Sequence, residues 1–322
     1  MKTSFSKALW LLSTFCVALG AGVAALAAST PTPSGMVLIP AGSFTMGNCT
    51  DPAEGVLNEL PLHTVYVSAF YMDSNLVSYT LWTNVYQWAT NHGYSFDHAG
   101  KGKAANHPVQ TIDWYDCVKW CNARSQEAGR TPVYFTDAGL TQVYTNGEVT
   151  VYANWWAKGY RLPTEAEWEK AARGGASGHR FPWSDADTID WSRANYYVDR
   201  KAGASTNYYP YDVNPSSGHN PAWTSGGSPY TSPVGSFAAN GYGLYGMAGN
   251  VWEWCWDWYG SYSSGSQTDP RGPATVLFRS RVFRGGGWYS LAYACRAAYR
   301  NYGYPADSNG YLGFRSVLPS GQ

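Results

Sequence analysis

Residues 161–169 read Arg161-Leu162-Pro163-Thr164-Glu165-Ala166-Glu167-Trp168-Glu169 and carry the clearest local folding signal in the chain. Thr164 can cap a helix, and Glu167 stands three residues later, which is the spacing of a capping box. Trp168 and the alanines that follow it supply an apolar inner face, and the glycine pair at 174–175 ends the segment. The stretch therefore predicts a short capped helix near the middle of the chain.

Two longer helices are predicted upstream of this one. Ser78 can cap a helix that runs to about Asn91, and Asp113 can cap a second helix that runs to about Ala128. Runs of β-branched and aromatic residues at 37–39, 64–67 and 70–72 predict strands. Similar runs at 134–135 and 149–152 flank an Asn-Gly pair, which predicts a hairpin.

The second half of the chain is different in character. Residues 189–262 are rich in Gly, Ser, Pro, Asn and aromatic residues and have no helical period, which predicts long ordered loops with short strands. No internal repeat or linker interrupts the chain after residue 35. We therefore predict one loop-rich α+β domain over residues 35–318.

Composition limits the class of partner. The formal net charge is zero, which argues against nucleic acid as a partner, because nucleic-acid binding needs a basic surface. The chain has 16 Trp, 26 Tyr and 35 Gly, but only 14% of its residues are charged. This profile is typical of a fold held together by aromatic packing.

The first 27 residues have the pattern of a cleaved signal peptide. Lys2 and Lys7 precede a short apolar run at 9–19, and Ala25-Leu26-Ala27 reads as a cleavage site. Residues 28–34 form a Pro/Ser/Thr linker. The apolar run is too short for a comfortable membrane span, and no later segment is long enough. We therefore expect a secreted or periplasmic protein without a membrane span.

Six landmarks in one order carry a family resemblance. The series resembles the formylglycine-generating-enzyme family, also called the sulfatase-modifying-factor family, and it covers almost everything after the leader. The resemblance implies a C-type-lectin-like α+β fold that is rich in irregular structure. The landmarks are residues 35–47, 161–169, 241–254, 284–286, 295–300 and 313–315.

The oxidase of that family holds copper between two thiolates five residues apart. Counting from the glycine turn at 285–287, the equivalent positions here are Ser290 and Cys295. Counting back from residues 313–315 instead puts Cys295 about three residues out of register. On either count one thiol remains, and a serine hydroxyl cannot replace a thiolate on Cu(I). We therefore expect neither bound copper nor formylglycine-generating activity.

Five cysteines remain after the leader: Cys49, Cys117, Cys121, Cys255 and Cys295. An odd count leaves at least one thiol free or paired between chains. The resemblance implies that the segments around Cys255 and Cys295 converge, so we expect a disulfide between them. Cys117 and Cys121 are four residues apart on one helix face, and we interpret them as core thiols rather than as a metal-ligand pair.

The resemblance also implies calcium sites. One would use the backbone oxygens of Gly249 and Val251 and the carboxylate of Glu253, but the ligand expected at position 246 is a glycine here. A second would use Asn195 and the carbonyl of Tyr196, without a matching Asp downstream. Calcium needs six to eight oxygens, so the alternative is that these side chains satisfy loop backbone groups.

Residues 289–311 have the composition of a binding loop. Tyr, Ser, Gly, Asn and Asp dominate, as in antibody loops, where rigid rings are combined with small polar residues. The segment resembles the variable region of diversity-generating-retroelement proteins, because its residues can be reached from Asn codons by changing adenines. The candidate ligand-binding residues are Tyr289, Tyr293, Tyr299, Asn301, Tyr302, Tyr304, Asp307 and Tyr311.

Two functions of different classes follow. The first is an exported, non-catalytic protein that binds a protein or surface ligand through this Tyr-rich segment. The second is an oxidase of the family that acts on a sulfatase cysteine through an altered site. A neighbouring reverse-transcriptase gene would favour the first function, and a neighbouring sulfatase gene would favour the second.

Overall fold

The computed structural model describes residue 1 and residues 32–48, 55–200, 209–273 and 279–321. The predicted signal peptide, apart from Met1, lies outside these ranges, as do residues 28–31 of the predicted linker and Cys49. Residues Thr32–Gln322 belong to one compact unit.

Three α-helices begin where their capping residues predict. Helix α1 spans Tyr79–Thr90, with Ser78 accepting a hydrogen bond from the Leu81 N–H. Helix α2 spans Trp114–Glu127, and Asp113 and Asp116 form its capping box. Helix α3 spans Glu165–Ala172 and has the expected capping box of Thr164 and Glu167. All eight residues of α3 are buried, so its charged side chains need partners inside the protein.

The described residues also contain 14 short strands and three 3₁₀ turns. The turns lie at Leu57–Glu59, Pro221–Trp223 and Ala292–Cys295. The strands are β1 Met36–Ile39, β2 Gly42–Met46, β3 His63–Val67, β4 Phe70–Asp73, β5 Tyr134–Phe135, β6 Tyr152–Ala153, β7 Tyr197–Val198, β8 Gly218–His219, β9 Trp252–Trp258, β10 Gln267–Thr268, β11 Arg281–Arg284, β12 Arg300–Gly303, β13 Leu312–Gly313 and β14 Val317–Pro319.

These strands form small sheets rather than one large one. The largest has the order β12-β11-β9-β13, in which β9 pairs antiparallel with β11 and parallel with β13. Two three-stranded sheets have the orders β1-β4-β14 and β10-β3-β2, and β5-β6 and β7-β8 form two-stranded pairs. Strands β11 and β13 of the four-stranded sheet flank residues 289–311, and β12 lies within them, so this sheet positions the Tyr-rich segment.

The prediction of long loops with short strands for residues 189–262 is confirmed in the described part of this range, and β9 is the longest strand there. Strand β9 has seven residues, and its pattern alternates aromatic residues with Glu253, Cys255 and Asp257. Glu253 and Asp257 are buried, which an alternating pattern does not predict, since the polar face of such a strand normally meets water. The two runs predicted as a hairpin do pair, as β5 antiparallel with β6, but residues 136–151 connect them in place of a tight Asn-Gly turn.

Buried aromatic residues dominate the core. Trp82 of α1 stacks on Trp120 of α2 with ring centroids 5.9 Å apart, and the edge of Phe314 meets both rings. Trp168 of α3 and Trp254 of β9 are also fully buried. Among the described residues no helix is long and apolar enough to cross a membrane.

Candidate functional site

Buried ion pairs hold the sheet strands next to the Tyr-rich segment against α3. Arg284 of β11 donates to Glu165 and Glu169 of α3, both at 2.6 Å, and to the Ala297 carbonyl at 2.7 Å. Arg300 of β12 binds both oxygens of Glu165 at 2.6 and 2.7 Å. These contacts fix the two ends of residues 285–299 on one helix.

Two more arginines complete this support. Arg296 binds both carboxylate oxygens of Glu59 at 2.8 and 2.6 Å. Arg315 binds Glu253 of β9 at 2.7 and 3.0 Å, and Trp168 donates to the same carboxylate at 2.9 Å. Paired guanidinium and carboxylate groups of this kind stay charged when buried. The four arginines therefore act as framework for the segment that carries the tyrosines.

A cleft of about 810 Å³ opens between the four-stranded sheet and the β7-β8 pair. Trp252, Phe283 and Leu312 of the sheet line it on one side, and Tyr197 and His219 line it on the other. Six of the eight predicted ligand-binding residues also line this cleft: Tyr289, Tyr293, Asn301, Tyr302, Asp307 and Tyr311.

The tyrosines of the cleft differ in exposure. Tyr289 is 64% exposed and Tyr302 is 45% exposed, whereas Tyr293 and Tyr311 are half-buried. The exposed rings rest on aromatic neighbours: Tyr302 stacks on Tyr259 with centroids 4.1 Å apart. None of these four rings is buried, so each can offer an apolar face and a hydroxyl to a ligand.

Tyr299 and Tyr304 lie outside the cleft. Tyr299 packs edge-on against Tyr293 at 5.0 Å and lines a neighbouring pocket. Tyr304 is 63% exposed, and its backbone N–H donates to Asp307 at 2.8 Å. Tyr299 therefore belongs to an adjacent surface, and Tyr304 projects from a turn that Asp307 stabilises.

The polar groups of the cleft are acidic or neutral. Asp199 and Asp307 supply carboxylates, Asn301 and Asn309 supply amides, and His219 lies against the Tyr197 ring at 4.8 Å. No Lys or Arg is among the described residues that line it. Aromatic faces beside carboxylates attract cations, so the cleft suits ligands with positive charge or hydrogen-bond donors.

The residues at the family's copper positions do not form a metal site here. Ser290 lines the cleft, but its hydroxyl accepts the Gly287 N–H at 3.0 Å and closes a turn. Cys295 is fully buried and does not line the cleft. Burial, with a smaller contribution from Asp212, raises the pKa of the Cys295 thiol, so it stays protonated. One buried thiol and one engaged hydroxyl do not fit copper.

The predicted disulfide is absent from the structure. Cys255 and Cys295 are both free thiols, each fully buried. Cys255 packs in the cluster that includes Trp168 and Val282, whereas Cys295 packs with Phe181 and Ala292 in another cluster. Cys255 lies in β9 and Cys295 lies in the 3₁₀ turn Ala292–Cys295, and their sulfur atoms enter different hydrophobic clusters. Cys117 and Cys121 are also buried free thiols in the core, as interpreted from sequence.

The predicted calcium ligands do not fit that ion. Both carboxylate oxygens of Glu253 are bound by Arg315, a cation that would repel calcium. The Tyr196 carbonyl accepts from Trp191 at 3.2 Å, and the Asn195 carbonyl accepts the Asn250 N–H at 2.8 Å. Arg315 and Trp168 bind Glu253, which therefore does not pair with loop backbone amides as the alternative interpretation expected. Few oxygens remain free for a six-coordinate ion. Gly249 and Val251 contribute only backbone oxygens.

Comparison with known proteins identifies the family. The chain belongs to the sulfatase-modifying factor enzyme 1-like domain family, which matches residues 23–319. It is 33% identical to the formylglycine-generating enzyme of Streptomyces coelicolor, in a match covering 90% of this chain and 93% of that protein.

Two solved structures resemble this fold. Treponema denticola variable protein 1 has a TM-score of 0.64 at 26% identity, covering 88% of this chain and 94% of that one. PvdO from Pseudomonas aeruginosa has a TM-score of 0.61 at 25% identity, with coverage of 88% and 94%. The α+β lectin-like fold and both resemblances recognised in the sequence are thus confirmed.

Six cleft residues outside the Tyr-rich segment were not predicted from sequence: Tyr197, Asp199, His219, Trp252, Phe283 and Leu312. Trp252 and Phe283 look like ordinary core residues, and their rings do pack against each other at 5.0 Å. Tyr197 and His219 lie in two-residue strands about 70 to 90 positions before Tyr289. Only the folded chain brings them next to Tyr289, at 6.3 and 6.2 Å between ring centroids.

Proposed function

We propose that this protein is an exported, non-catalytic member of its family that binds a protein or surface ligand in the aromatic cleft. One observation carries the proposal: the exposed rings of Tyr289 and Tyr302 flank a cleft whose framework is fixed by buried Arg–Glu pairs. A rigid base with exposed aromatic side chains is the arrangement of a binding surface, because little side-chain order is lost on association.

The chemistry of the cleft limits the class of ligand that it can bind. Asp199 and Asp307 lie among aromatic rings without a lining Lys or Arg. We expect a segment that carries at least one cationic group to bind better than an acidic one, because the cleft attracts positive charge. The leader pattern at residues 1–27 supports a ligand encountered outside the cytoplasm.

A selection experiment tests the binding proposal. A random-peptide phage library is selected on the immobilised mature protein, and enriched peptides are titrated against the wild type and a Tyr289→Ala/Tyr302→Ala variant. We expect the variant to lose affinity by at least about tenfold, since central aromatic anchors carry most of the binding energy. Tyr152→Ala is the matched control, because Tyr152 is 38% exposed but lies outside the cleft.

Two results would contradict the proposal. Enriched peptides that bind the wild type and the double variant equally would place recognition elsewhere. Enrichment of acidic rather than cationic peptides would leave a binding role but overturn the stated ligand chemistry.

The second candidate is a formylglycine-generating oxidase. It is favoured by the 33% identity to the Streptomyces coelicolor enzyme over almost the whole chain. It is opposed by the buried Cys295 thiol and by Ser290 at the other copper position. The test is incubation of the mature protein with Cu(I), oxygen, a reductant and a sulfatase-derived cysteine peptide. Loss of the peptide thiol at an enzymatic rate, measured by mass spectrometry, would establish the oxidase instead.

A further inference from the structure

A cluster of acidic residues at the start of α2 includes the buried capping residue Asp113. Asp113 is fully buried, and its Oδ1 accepts the Asp116 N–H at 2.6 Å. Its Oδ2 has no hydrogen-bond partner among the described residues. Burying a carboxylate oxygen without a hydrogen-bond partner costs free energy of folding. We therefore expect a group or ion that binds this oxygen to lie close to it.

Two potential metal ligands face that oxygen. His98 Nδ1 lies 3.6 Å from Asp113 Oδ2 and 2.9 Å from Asp116 Oδ2. An ion bound at about 2.1 Å to three ligands holds neighbouring ligand atoms about 3.0 to 3.4 Å apart, and the observed separations bracket this range. Ligand atoms of Asp97, Asp113 and Glu148 also lie within 4.8 Å of one another.

The charges of the cluster also favour a bound cation. Four carboxyl groups meet here, and one cation, Lys119, lies close, at 2.7 Å from Asp97 and 3.5 Å from Asp116. Carboxyl groups therefore outnumber the cations close to this cluster.

We propose that His98, Asp113 and Asp116 bind a divalent metal ion, with Asp97 and Glu148 at the solvent-facing edge of the site. One imidazole among carboxylates suits zinc or manganese better than calcium, which prefers oxygen ligands alone. The His98 side chain is 33% exposed, which gives an ion a route from solvent to the buried Asp113. None of these residues lines the aromatic cleft, so the site is independent of ligand binding there.

Isothermal titration of the metal-free mature protein with ZnCl₂, followed by MnCl₂ and CaCl₂, tests the proposal. We expect one equivalent of Zn²⁺ to bind, and His98→Ala and Asp113→Asn each to weaken it by at least about tenfold. Asn is as good a helix cap as Asp, so Asp113→Asn keeps the start of α2 intact. His92→Ala is the control, because the exposed His92 stacks on Trp88 away from the cluster.

Three titration results would contradict the proposal. No zinc binding, or equal zinc binding by the wild type, His98→Ala and Asp113→Asn, would overturn the site. Binding of Ca²⁺ in place of Zn²⁺ or Mn²⁺ would overturn the assigned class of ion.

Discussion

Arg300 and Glu165 form a buried bidentate ion pair, with Nε–Oε1 at 2.6 Å and Nη2–Oε2 at 2.7 Å. The pair joins β12, beside the aromatic cleft, to the first residue of α3, which is 135 positions away in sequence. Arg284 donates to the same carboxylate at 2.6 Å. Burial alone would raise the pKa of Glu165, but Arg300 and Arg284 hold it below its usual value. The capping-box helix thus serves as the anchor of the Tyr-rich segment.

Removing Arg300 should destabilise the protein strongly. Arg300→Ala leaves Glu165 with one guanidinium partner in a buried site, and breaking a buried pair typically costs about 3–5 kcal/mol. Urea unfolding followed by tryptophan fluorescence measures the loss. Arg193→Ala is the control, since Arg193 pairs with the exposed Asp185 on the surface, and we expect little change in its midpoint. Equal midpoints for Arg300→Ala and the wild type would show that the pair is not structural.

The exposed tyrosines should be dispensable for folding. We expect Tyr289→Ala and Tyr302→Ala each to change the free energy of unfolding by less than about 0.5 kcal/mol, because their rings face solvent. Trp252→Ala should cost about 3–5 kcal/mol, because this ring is 5% exposed and packs on Phe283. Thermal unfolding of the three variants measures the contrast. A large loss of stability in Tyr289→Ala would make this segment part of the core.

Cys255 and Cys295 should be unreactive free thiols. Each is fully buried, and burial raises the pKa of both thiols, so neither forms the reactive thiolate in the folded protein. We expect both to be labelled by iodoacetamide in denaturant without reductant, but neither to be labelled in native buffer. Peptide mapping by mass spectrometry measures this. Recovery of a linked Cys255–Cys295 peptide would restore the disulfide predicted from sequence.

Asp257 should make stability fall as pH rises. Burial, and then the nearby Glu165, raise the pKa of Asp257 to about 8, above its usual 3.8. A group with a raised folded pKa contributes fully below its unfolded pKa and loses that contribution as pH rises through the folded pKa. Asp257→Asn keeps an acceptor for the Glu165 N–H, 2.9 Å away, without the charge. Between about pH 4 and pH 8, we expect the stability of this variant to fall less steeply than that of the wild type. Identical pH profiles of stability for the wild type and Asp257→Asn would show that Asp257 does not cause the decline.

Local chemistry was sufficient to predict where the helices begin. Ser78, Asp113 and Thr164 each accept the backbone N–H three positions later, and this bond depends only on neighbouring residues. The Tyr, Gly and Asn composition likewise located the segment that supplies much of the cleft. The order of the six landmarks was enough to recognise the family, which the match over residues 23–319 confirms.

The tertiary structure decided what the sequence by itself left open. The burial of Glu253 in β9 depends on Arg315, a partner 62 positions away, so a polar residue does not mark a solvent face there. The expected pairing of Cys255 with Cys295 failed because their sulfur atoms enter different clusters. Tyr197 and His219 joined the cleft only through long-range packing. Sequence determines the short-range bonds of a capped helix, whereas buried ion pairs and shared surfaces depend on contacts between distant segments.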